Sequence, residues 1–411
     1  MVLEVEERER RQVSVRAAGA YLLCGWMALT FASAASAQDT RAGQIAEAQA
    51  EKATKLEPYQ PTRFDAVMNS LEQSFSSPPS GFFPVAGSVY SGGGLSLGAG
   101  YRQFYGRKAV WDLVGLYSVK NYKKIEMGTR TPWDLDGRWT FGARGGWLDA
   151  TQVGYYGLGM GTSADDRGNF RVKQTYAEAT ASFEPAPWAR LEADVAIEDF
   201  NTEEGHGKAP SIETRFNGLT APALGADPTY IRTAATAAID WRKSPDYARS
   251  GGYYGVTLRN YDDVDETLSF RQLEGEVIQH LPILRENWVI SVRGRVQTTL
   301  DDADTVPYFL LPSLGSGRTL RAYSTGRFRD RHSILTSAEF RWIPSRLALD
   351  MALFYDAGKV TPDRGDLNFN DLESNWGIGA RFHGPVATFL RIEAARGSEG
   401  WNLVFTTNAA F

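Results

Sequence analysis

The region from Gly315 to Val360 is the most informative part of this sequence about its fold. It contains the loop GSGRTLRAYSTGRFRDR (315–331), then SILTSAEFRWIP (333–344) and RLALDMALFYDAGKV (346–360). Apolar and polar residues alternate along both later segments, and successive side chains of a β-strand point to opposite faces. The apolar residues of one face are Ile334, Ala338, Phe340, Trp342, Leu347, Leu349, Met351, Leu353 and Tyr355. The pattern predicts a β-hairpin with one apolar and one polar face.

The polar face of this hairpin is acidic, and the loop before it is basic. Glu339, Asp350 and Asp356 lie on the polar face. The loop arginines are Arg318, Arg321, Arg327, Arg329 and Arg331. Isolated charges are unfavourable away from water and therefore occur in pairs. We expect the loop to fold toward the acidic face, although such pairing would serve equally to pin a loop inside any porin.

Several motifs of the chain resemble those of a known family. Leu320-Arg321-Ala322-Tyr323 is similar to the (V/L)RG(F/Y) motif in the sixth extracellular loop of the BamA/TamA family of outer-membrane assembly barrels (bacterial surface antigen type). Phe354-Tyr355-Asp356-Ala357-Gly358 fits the F-x-D-x-G strand motif of that family, and Ser337-Ala338-Glu339-Phe340 resembles its strand just after the loop. Tyr156-Gly157-Leu158-Gly159 resembles a sequence of its third loop.

The resemblance implies a role for Arg321. In the family, the loop arginine reaches into the barrel and contacts acidic groups of the lumen wall. Carried over by position, this implies that Arg321 pairs with Asp356 and Glu339. The glycine of the family motif is Ala322 in this chain. If that position requires a positive φ, alanine is strained there and the loop tip is built differently.

The first 37 residues predict a secretory signal peptide. Arginines precede an apolar run at 17–31, and Ala35-Ser36-Ala37 supplies the small residues expected before a cleavage site. A transmembrane anchor is the alternative, but about 15 apolar residues fall short of the roughly 20 that a span requires. The only cysteine, Cys24, lies in this segment, so we expect a cleaved chain without disulfides or cysteine-bound metals.

Residues 38–82 differ in composition from the rest of the chain. Segment 44–56 is rich in Ala, Glu and Lys, and 63–75 is a second predicted helix that ends before Pro78-Pro79. A periplasmic or plug-like helical leader and a partly disordered leader both fit this pattern. The resembling family carries POTRA domains at this end, and these 45 residues are too few for one. The resemblance therefore implies a barrel without POTRA domains.

The composition after residue 37 favours a membrane-spanning β-barrel. The chain has 11 Trp, 18 Tyr, 21 Phe and 41 Gly, and no later segment offers 18 uninterrupted apolar residues. Segments rich in Gly and aromatic residues with alternating polarity are typical of transmembrane barrels. A large soluble β protein is the alternative, but it seldom repeats wide apolar and polar faces along a whole chain. The net charge of −5 argues against a nucleic-acid partner.

We predict an all-β fold: a 16-stranded antiparallel transmembrane β-barrel over residues 83–411, after a short N-terminal helical segment. Eleven strands precede the basic loop and five follow it, and an even number brings both ends of the barrel to the same side of the membrane. The last strand alternates from Trp401 and places Phe405 and the terminal Phe411 on one face. This ending is similar to the assembly signature of outer-membrane barrels, which predicts the bacterial outer membrane as the location.

No pattern in the sequence predicts an enzyme. The four histidines are His206, His280, His332 and His383, and no pair of them has metal-binding spacing. A Gly-x-Ser-x-Gly nucleophile elbow is also absent from the sequence. The carboxylate groups at 262–265 and 301–304 fit solvated loops better than a cation site. We therefore expect no catalytic residue, no metal site and no cofactor.

The resemblance implies a function in outer-membrane assembly. In the family, the seam between the first and last strands is weak and admits polypeptides or lipids; here it would join 83–91 to 401–411. We expect assistance to insertion or translocation of outer-membrane or secreted proteins, with unfolded client proteins and outer-membrane lipid as partners. A periplasmic accessory protein would replace the missing POTRA domains. A passive porin or structural barrel is the alternative, and Ala322 favours it mildly.

Overall fold

The computed structural model describes residues 47, 80–106, 108–132, 137–283, 287–301, 305–344, 348–384 and 387–407. The predicted signal peptide, nearly all of the leader at 38–82 and Phe411 lie outside the described residues. Within the described chain, sixteen strands form one antiparallel sheet, and their spatial order follows the sequence. This sheet curves into a nearly closed barrel. The prediction of an all-β, 16-stranded antiparallel barrel is confirmed.

The barrel strands occur in two runs separated by the long loop. The strands β1–β11 are Gly81–Gly87, Ser96–Tyr105, Ala109–Ser118, Lys123–Pro132, Trp139–Tyr155, Gly168–Ala186, Ala189–Glu204, Thr229–Asp240, Gly251–Asp263, Phe270–Ile283 and Trp288–Thr299. Within the loop, β12 (Ser313–Leu314) and β13 (Phe328–Arg329) pair as a separate small hairpin. The strands β14–β18 are His332–Trp342, Leu349–Thr361, Glu373–His383, Thr388–Gly397 and Gly400–Thr406. Eleven barrel strands therefore precede the loop and five follow it.

Helical structure is confined to short turns in the described barrel, residues 80–407. The 3-10 turns include Ala164–Asp166, Pro245–Tyr247 and Arg364–Asp366, Thr305 also has 3-10 conformation, and one α-helical turn covers Ile212–Arg215. Among the described residues, no helix has the length and apolar character needed to cross a membrane.

Side chains alternate between an apolar outer face and a polar inner face. The exposed apolar residues of β7, β14 and β15 are Leu191, Val195, Ile197, Phe340, Trp342, Met351, Leu353 and Tyr355. The buried residues between them on β14 and β15 include Glu339, Arg341, Asp350 and Asp356. Apolar-out, polar-in alternation is the pattern of a barrel whose outer wall faces lipid. The predicted faces of the hairpin are therefore confirmed at the described positions 338–342 and 350–356.

Some strand boundaries differ from the sequence-based expectation. The strands β5, β6 and β7 have 17, 19 and 16 residues, which exceeds the roughly 9–11 needed to cross a bilayer. The turn between β6 and β7 lies at Pro187-Trp188 instead of 184–187. A register shift between Phe183 and Ala186 accommodates Pro185, which has no backbone N–H for the ladder. The strand β1 begins at Gly81, two residues earlier than expected.

The connections differ in length at the two ends of the barrel. At one end, here called the loop end, long connections cover 156–167, 205–228 and 300–331. At the other, the turn end, β6 and β7 are joined by two residues and β10 and β11 by four. The loop end of the lumen is filled by an apolar cluster, here called the dome core. Its members include Tyr122, Leu148, Val153, Tyr155, Phe170, Val172, Phe200, Ile212, Tyr230, Tyr261, Phe270, Val306, Tyr308, Phe309 and Leu311.

The strands β1 and β18 are the two edges of the sheet, and we call the junction between them the seam. No ladder joins β1 to β18 among the described residues. At seven residues each, they are also the shortest barrel strands. Pro84 in β1 has no backbone N–H, which is tolerated best at a sheet edge. The barrel is therefore closed least firmly at the seam.

Candidate functional site

The loop between β11 and β14, which we call the lumen loop, folds into the lumen as a compact unit. Beside the β12–β13 hairpin, the N–H of Gly326 donates to the carbonyl oxygen of Gly315 at 2.9 Å. Gly315 has φ +97°, and a Cβ there would lie 2.2 Å from the carbonyl oxygen of Ser324, so this turn requires glycine. One apolar cluster joins the loop to the wall: Leu314, Leu320, Ala322, Tyr323 and Phe328 with Leu335, Phe354, Val360 and Ala395.

Arg321 makes the central contacts of the loop. Its Nε and Nη2 donate to both carboxylate oxygens of Asp356 at 2.8 and 2.9 Å. Its Nη1 donates to Glu393 Oε1 at 2.9 Å and to Glu339 Oε2 at 3.3 Å. The guanidinium also stacks on the ring of Phe354, with its Cζ 3.6 Å from the ring centroid. One planar fork of donors thus serves three carboxylates, which a lysine cannot reproduce.

Arg321 belongs to a set of four arginines and four carboxylates, which we call the lumen network. The loop contributes Arg321, β14 contributes Glu339 and Arg341, β15 contributes Asp350 and Asp356, β16 contributes Arg381, and β17 contributes Arg391 and Glu393. Every member is at most 3% exposed. The four positive and four negative formal charges cancel. The whole set can therefore be buried, whereas burial of any one member alone would be strongly unfavourable.

The charge of Arg321 is held in place by its surroundings. Burial by itself lowers the pKa of a guanidinium, because desolvation disfavours the charged form. The carboxylates of Asp356, Glu393 and Glu339 outweigh this effect, and the pKa of Arg321 is raised. Asn375 supports the pair, since its Nδ2 donates to Asp356 Oδ2 at 2.8 Å. Arg321 is therefore a permanent cation.

The structure brings the loop motif and both implied acidic partners together. Leu320 is fully buried, and the hydroxyl of Tyr323 donates to Glu373 and, at 3.1 Å, to the carbonyl oxygen of Ser374. Ala322 is not among the described non-glycine residues with positive φ. Alanine therefore occupies this position without backbone strain, and the conditional expectation of a strained loop tip does not apply.

Each residue of the strand motif has a distinct contact. Phe354 lies under the guanidinium of Arg321, and Asp356 accepts two hydrogen bonds from it. A Cβ at Gly358 would lie 2.6 Å from the carbonyl oxygen of Ile334 and 2.9 Å from Leu314 Cδ1. The glycine therefore lets the loop approach β15 closely.

The segment Tyr156-Gly157-Leu158-Gly159, which resembles a third-loop sequence, supports the lumen loop from the loop end. The N–H of Gly159 donates to the carbonyl oxygen of Arg329 at 2.8 Å. Nearby, Arg327 Nη1 donates to Thr162 Oγ1 at 2.7 Å. The sequence predicted a connection at this place but did not predict its contact with the basic loop.

The lumen loop also contacts the seam. Asn402, on β18, donates from Nδ2 to the carbonyl oxygen of Arg321 at 2.8 Å. A Cβ at Gly317 would lie 2.6 Å from Val404 Cγ1, so the loop backbone packs closely on the same strand. The residue that binds the three carboxylates thus also contacts one edge of the seam.

Sequence reasoning did not identify four of the eight members of the lumen network, namely Arg341, Arg381, Arg391 and Glu393. Glu393, Arg381 and Arg391 lie on predicted strands, but they were not identified as partners. Side-chain alternation could have placed them at inward-facing positions of β16 and β17, because the same alternation placed Glu339 and Asp356 on the inward face. Parity selects the face of the sheet, but it does not select which strands the loop reaches.

A second buried cluster lies at the turn end, around Tyr247 in the β8–β9 connection. The hydroxyl of Tyr247 donates to Asp350, with its two carboxylate oxygens 2.9 and 2.8 Å away. It lies 2.8 Å from Nε2 of His383, and the two rings stack with centroids 3.9 Å apart. Burial, followed by the charge of Asp350, raises the pKa of Tyr247, so the phenol stays protonated.

The remaining sequence-predicted features fall outside this site. Phe405 is 56% exposed on the outer face of β18, while Phe411 lies outside the described residues. In the part of the chain that the structure describes, no group of three or more His, Cys, Asp or Glu side chains could hold a metal ion. The geometry of the described site is that of a loop pinned to the lumen wall by buried ion pairs.

Comparison with solved structures places the fold among known barrels. BamA from Haemophilus ducreyi lacking POTRA domains 1–3 matches with a TM-score of 0.59 and 15% identity, over 79% of this chain and 69% of that chain. CdiB from Escherichia coli matches with a TM-score of 0.53, 10% identity and coverages of 80% and 62%. CdiB from Acinetobacter baumannii matches with a TM-score of 0.50, 9% identity and coverages of 80% and 57%.

These likenesses concern the fold, because the identities are low. This chain spans less than two thirds of either CdiB structure. No protein-family model and no curated protein matches the sequence. The chain is accordingly a 16-stranded β-barrel similar to the BamA and CdiB barrels.

Proposed function

We propose that this chain is a bacterial outer-membrane barrel that assists the insertion or translocation of outer-membrane or secreted proteins. Its partners are an unfolded client protein, outer-membrane lipid and a periplasmic accessory protein that delivers the client. It acts without a cofactor and without bond chemistry. The turn end faces the periplasm and the loop end faces the cell exterior.

The contact between the lumen loop and the seam carries this proposal. The edges of β1 and β18 offer backbone groups with no ladder partner in the described chain, and an extended segment of a client can pair with such an edge. The carbonyl of Arg321 is bonded to β18, while its guanidinium is bonded to β14, β15 and β17. Arg321 therefore ties the free edge of the barrel to the rigid wall.

The dome core argues against the passive porin. It closes the loop end with packed aromatic rings: Tyr308 meets Tyr155 and Phe170 edge-on, with centroids 5.2 and 4.9 Å apart. A wide water-filled passage requires an open lumen at both ends. The buried lumen loop occupies a further part of the lumen, where it packs against β14, β15 and β17.

The proposal is tested by insertion of an unfolded outer-membrane protein into proteoliposomes. We expect the wild-type barrel to accelerate insertion and Arg321→Ala to reduce the rate to that of empty liposomes. The matched control is Arg144→Ala, because Arg144 also makes a two-point pair with a lumen-wall carboxylate, Glu178, but lies outside the loop. Heat-modifiable migration in gels establishes that each variant is folded.

Two results would count against the proposal. If the wild-type barrel does not accelerate insertion but conducts ions freely, the passive porin replaces the proposed function. Acceleration that survives Arg321→Ala keeps the insertion function but removes Arg321, Glu339 and Asp356 from its mechanism.

A further inference from the structure

The connection between β8 and β9 is unlike the others at the turn end. It has ten residues, 241–250, and is the longest connection at that end. Instead of extending away from the barrel, it places Tyr247 and Ala248 at 2% and 3% exposure. Ser244 adopts a left-handed conformation with φ 54° and ψ 76°, which non-glycine residues rarely hold without tertiary contacts. The connection is therefore docked into a specific shape.

The docking partners lie on the wall that also holds the lumen loop. The hydroxyl of Tyr247 bonds to Asp350 on β15 and His383 on β16, and Arg341 on β14 donates from Nη2 to the carbonyl oxygen of Ala248. Asp350 and His383 are 0% and 6% exposed. The connection thus reaches past β10 and β11 and covers the ends of β14, β15 and β16.

A chain of ionic contacts runs from this connection to the lumen loop. Asp350 Oδ2 lies 4.0 Å from Arg341 Nη1, and Arg341 Nε lies 3.8 Å from Glu339 Oε1. Glu339 Oε2 in turn accepts a hydrogen bond from Arg321 Nη1 at 3.3 Å. Arg341 is therefore shared between Asp350 and Glu339. Loss of the Arg321 charge beside Glu339 changes how strongly Arg341 is attracted to each of these two carboxylates.

We propose that the 241–250 connection is a latch that closes the turn end of the lumen over β14–β16, and that its docking is coupled to Arg321 through Asp350, Arg341 and Glu339. The latch and the coupling are properties of the barrel itself. The regulatory consequence of the coupling is that a client or accessory protein bound at the turn end loosens the lumen loop and the seam. This consequence rests on the proposed insertion function.

The latch is tested by the reaction of a cysteine with a membrane-impermeant maleimide added at the turn end. The reporter is Ala248→Cys in a Cys24→Ser background, because residue 248 is buried only while the connection is docked. Asp246→Cys, at an exposed position of the same connection, sets the rate for an undocked cysteine. We expect Ala248→Cys to react slowly and Tyr247→Phe to accelerate it about tenfold, through the loss of hydrogen bonds to a buried carboxylate.

Matched variants separate the latch from general loosening. Tyr254→Phe removes a phenol that bonds to Gln279 on the outer wall, and we expect it to leave the rate unchanged. For the coupling, Arg321→Ala is expected to accelerate the reaction, whereas Arg327→Ala, in the same loop but paired with Glu399, is not. Asp350→Asn serves as a second latch variant if Tyr247→Phe does not fold.

Each outcome bears on one part of the proposal. A reaction of Ala248→Cys as fast as that of Asp246→Cys, or no effect of Tyr247→Phe and Asp350→Asn, overturns the latch. Equal rates in Arg321→Ala and Arg327→Ala overturn the coupling. Because the labelling uses no client protein, a barrel that fails to accelerate insertion can still pass this test, and the two failures are distinguishable.

Discussion

At the scale of single residues, burial decides which ion pairs matter. Arg321 is 2% exposed and serves three carboxylates, whereas the Arg144 side chain is 52% exposed and serves one. Removing one partner from a buried set leaves uncompensated charge and costs about 3–5 kcal/mol. Exposed pairs contribute about 0–1 kcal/mol. Arg144→Ala therefore controls for the loss of a two-point ion pair but not for the cost of buried charge, which is why the folding of Arg321→Ala must be measured alongside its activity.

Gly358 offers a test of close packing between β15 and the lumen loop. In Gly358→Ala, the new methyl group would lie 2.6 Å from the carbonyl oxygen of Ile334, so the neighbouring strand or the loop must shift. We expect a destabilisation of about 1–3 kcal/mol, as for overpacked cores. The measurement is the free energy of unfolding from urea titration of the refolded barrel.

The matched control is Gly275→Ala, because a Cβ at Gly275 meets nothing within 4 Å. We expect this control to leave the free energy of unfolding nearly unchanged. Equal effects of the two substitutions would show that Gly358 is required for some reason other than the approach of the loop.

At the scale of elements, the seam is the least constrained part of the sheet. Neighbouring barrel strands elsewhere pair along their length, as β5 and β6 do from Trp139 to Tyr155. The strands β1 and β18 each pair on one side only, within the described chain. A strand with one paired edge is the element that can exchange partners at the smallest loss of hydrogen bonds.

Cross-linking of the seam tests whether it must open. Double-cysteine variants that join a position in β1 to one in β18 are screened for pairs that oxidise. We expect oxidation to reduce client insertion to the rate of empty liposomes and reduction to restore it, because a covalent bond prevents separation of the edges. The control is a cysteine pair at Tyr254 and Val277, which are already Cα partners in β9 and β10. Full insertion activity with an oxidised seam would contradict a lateral route.

At the scale of the whole molecule, the two ends of the lumen are closed by different means. Apolar packing fills the loop end, while ionic and hydrogen-bonded contacts hold the lumen loop and the 241–250 connection. The lumen network is buried, so salt screens its ion pairs only weakly. Its hydrogen bonds and ion pairs can exchange partners, whereas the dome core is held by contacts among packed rings and is the constant barrier.

Ion conductance across planar bilayers tests this arrangement. We expect sparse, flickering conductance for the wild type and a clear increase for Tyr308→Ala, because loss of a buried aromatic residue costs about 3–5 kcal/mol of packing in the dome core. Phe369→Ala is the control, since Phe369 is 71% exposed in the connection after β15. Steady, salt-proportional conductance of the wild type would instead identify a passive pore.

The number of strands and the faces of their side chains could be predicted from the sequence, whereas several strand boundaries could not. Side-chain alternation has a period of two residues and is a local property, so Asp350, Asp356 and Leu353 could be assigned to their faces directly. The same rule yielded eleven strands before the loop and five after it. The motif residues Arg321 and Phe354 are recognisable from sequence because each lies in its own short pattern of neighbouring residues.

Which side chains meet across the lumen depends on the tertiary structure. Glu393 bonds to Arg321 across 72 residues of sequence, and Asp350 bonds to Tyr247 across 103. Both contacts depend on which strands the curved sheet brings to face one another and on where the loop and the 241–250 connection enter the lumen. Local alternation carries no information about that geometry. Pairing across the lumen is set by closure of the barrel, which is a property of all sixteen strands together.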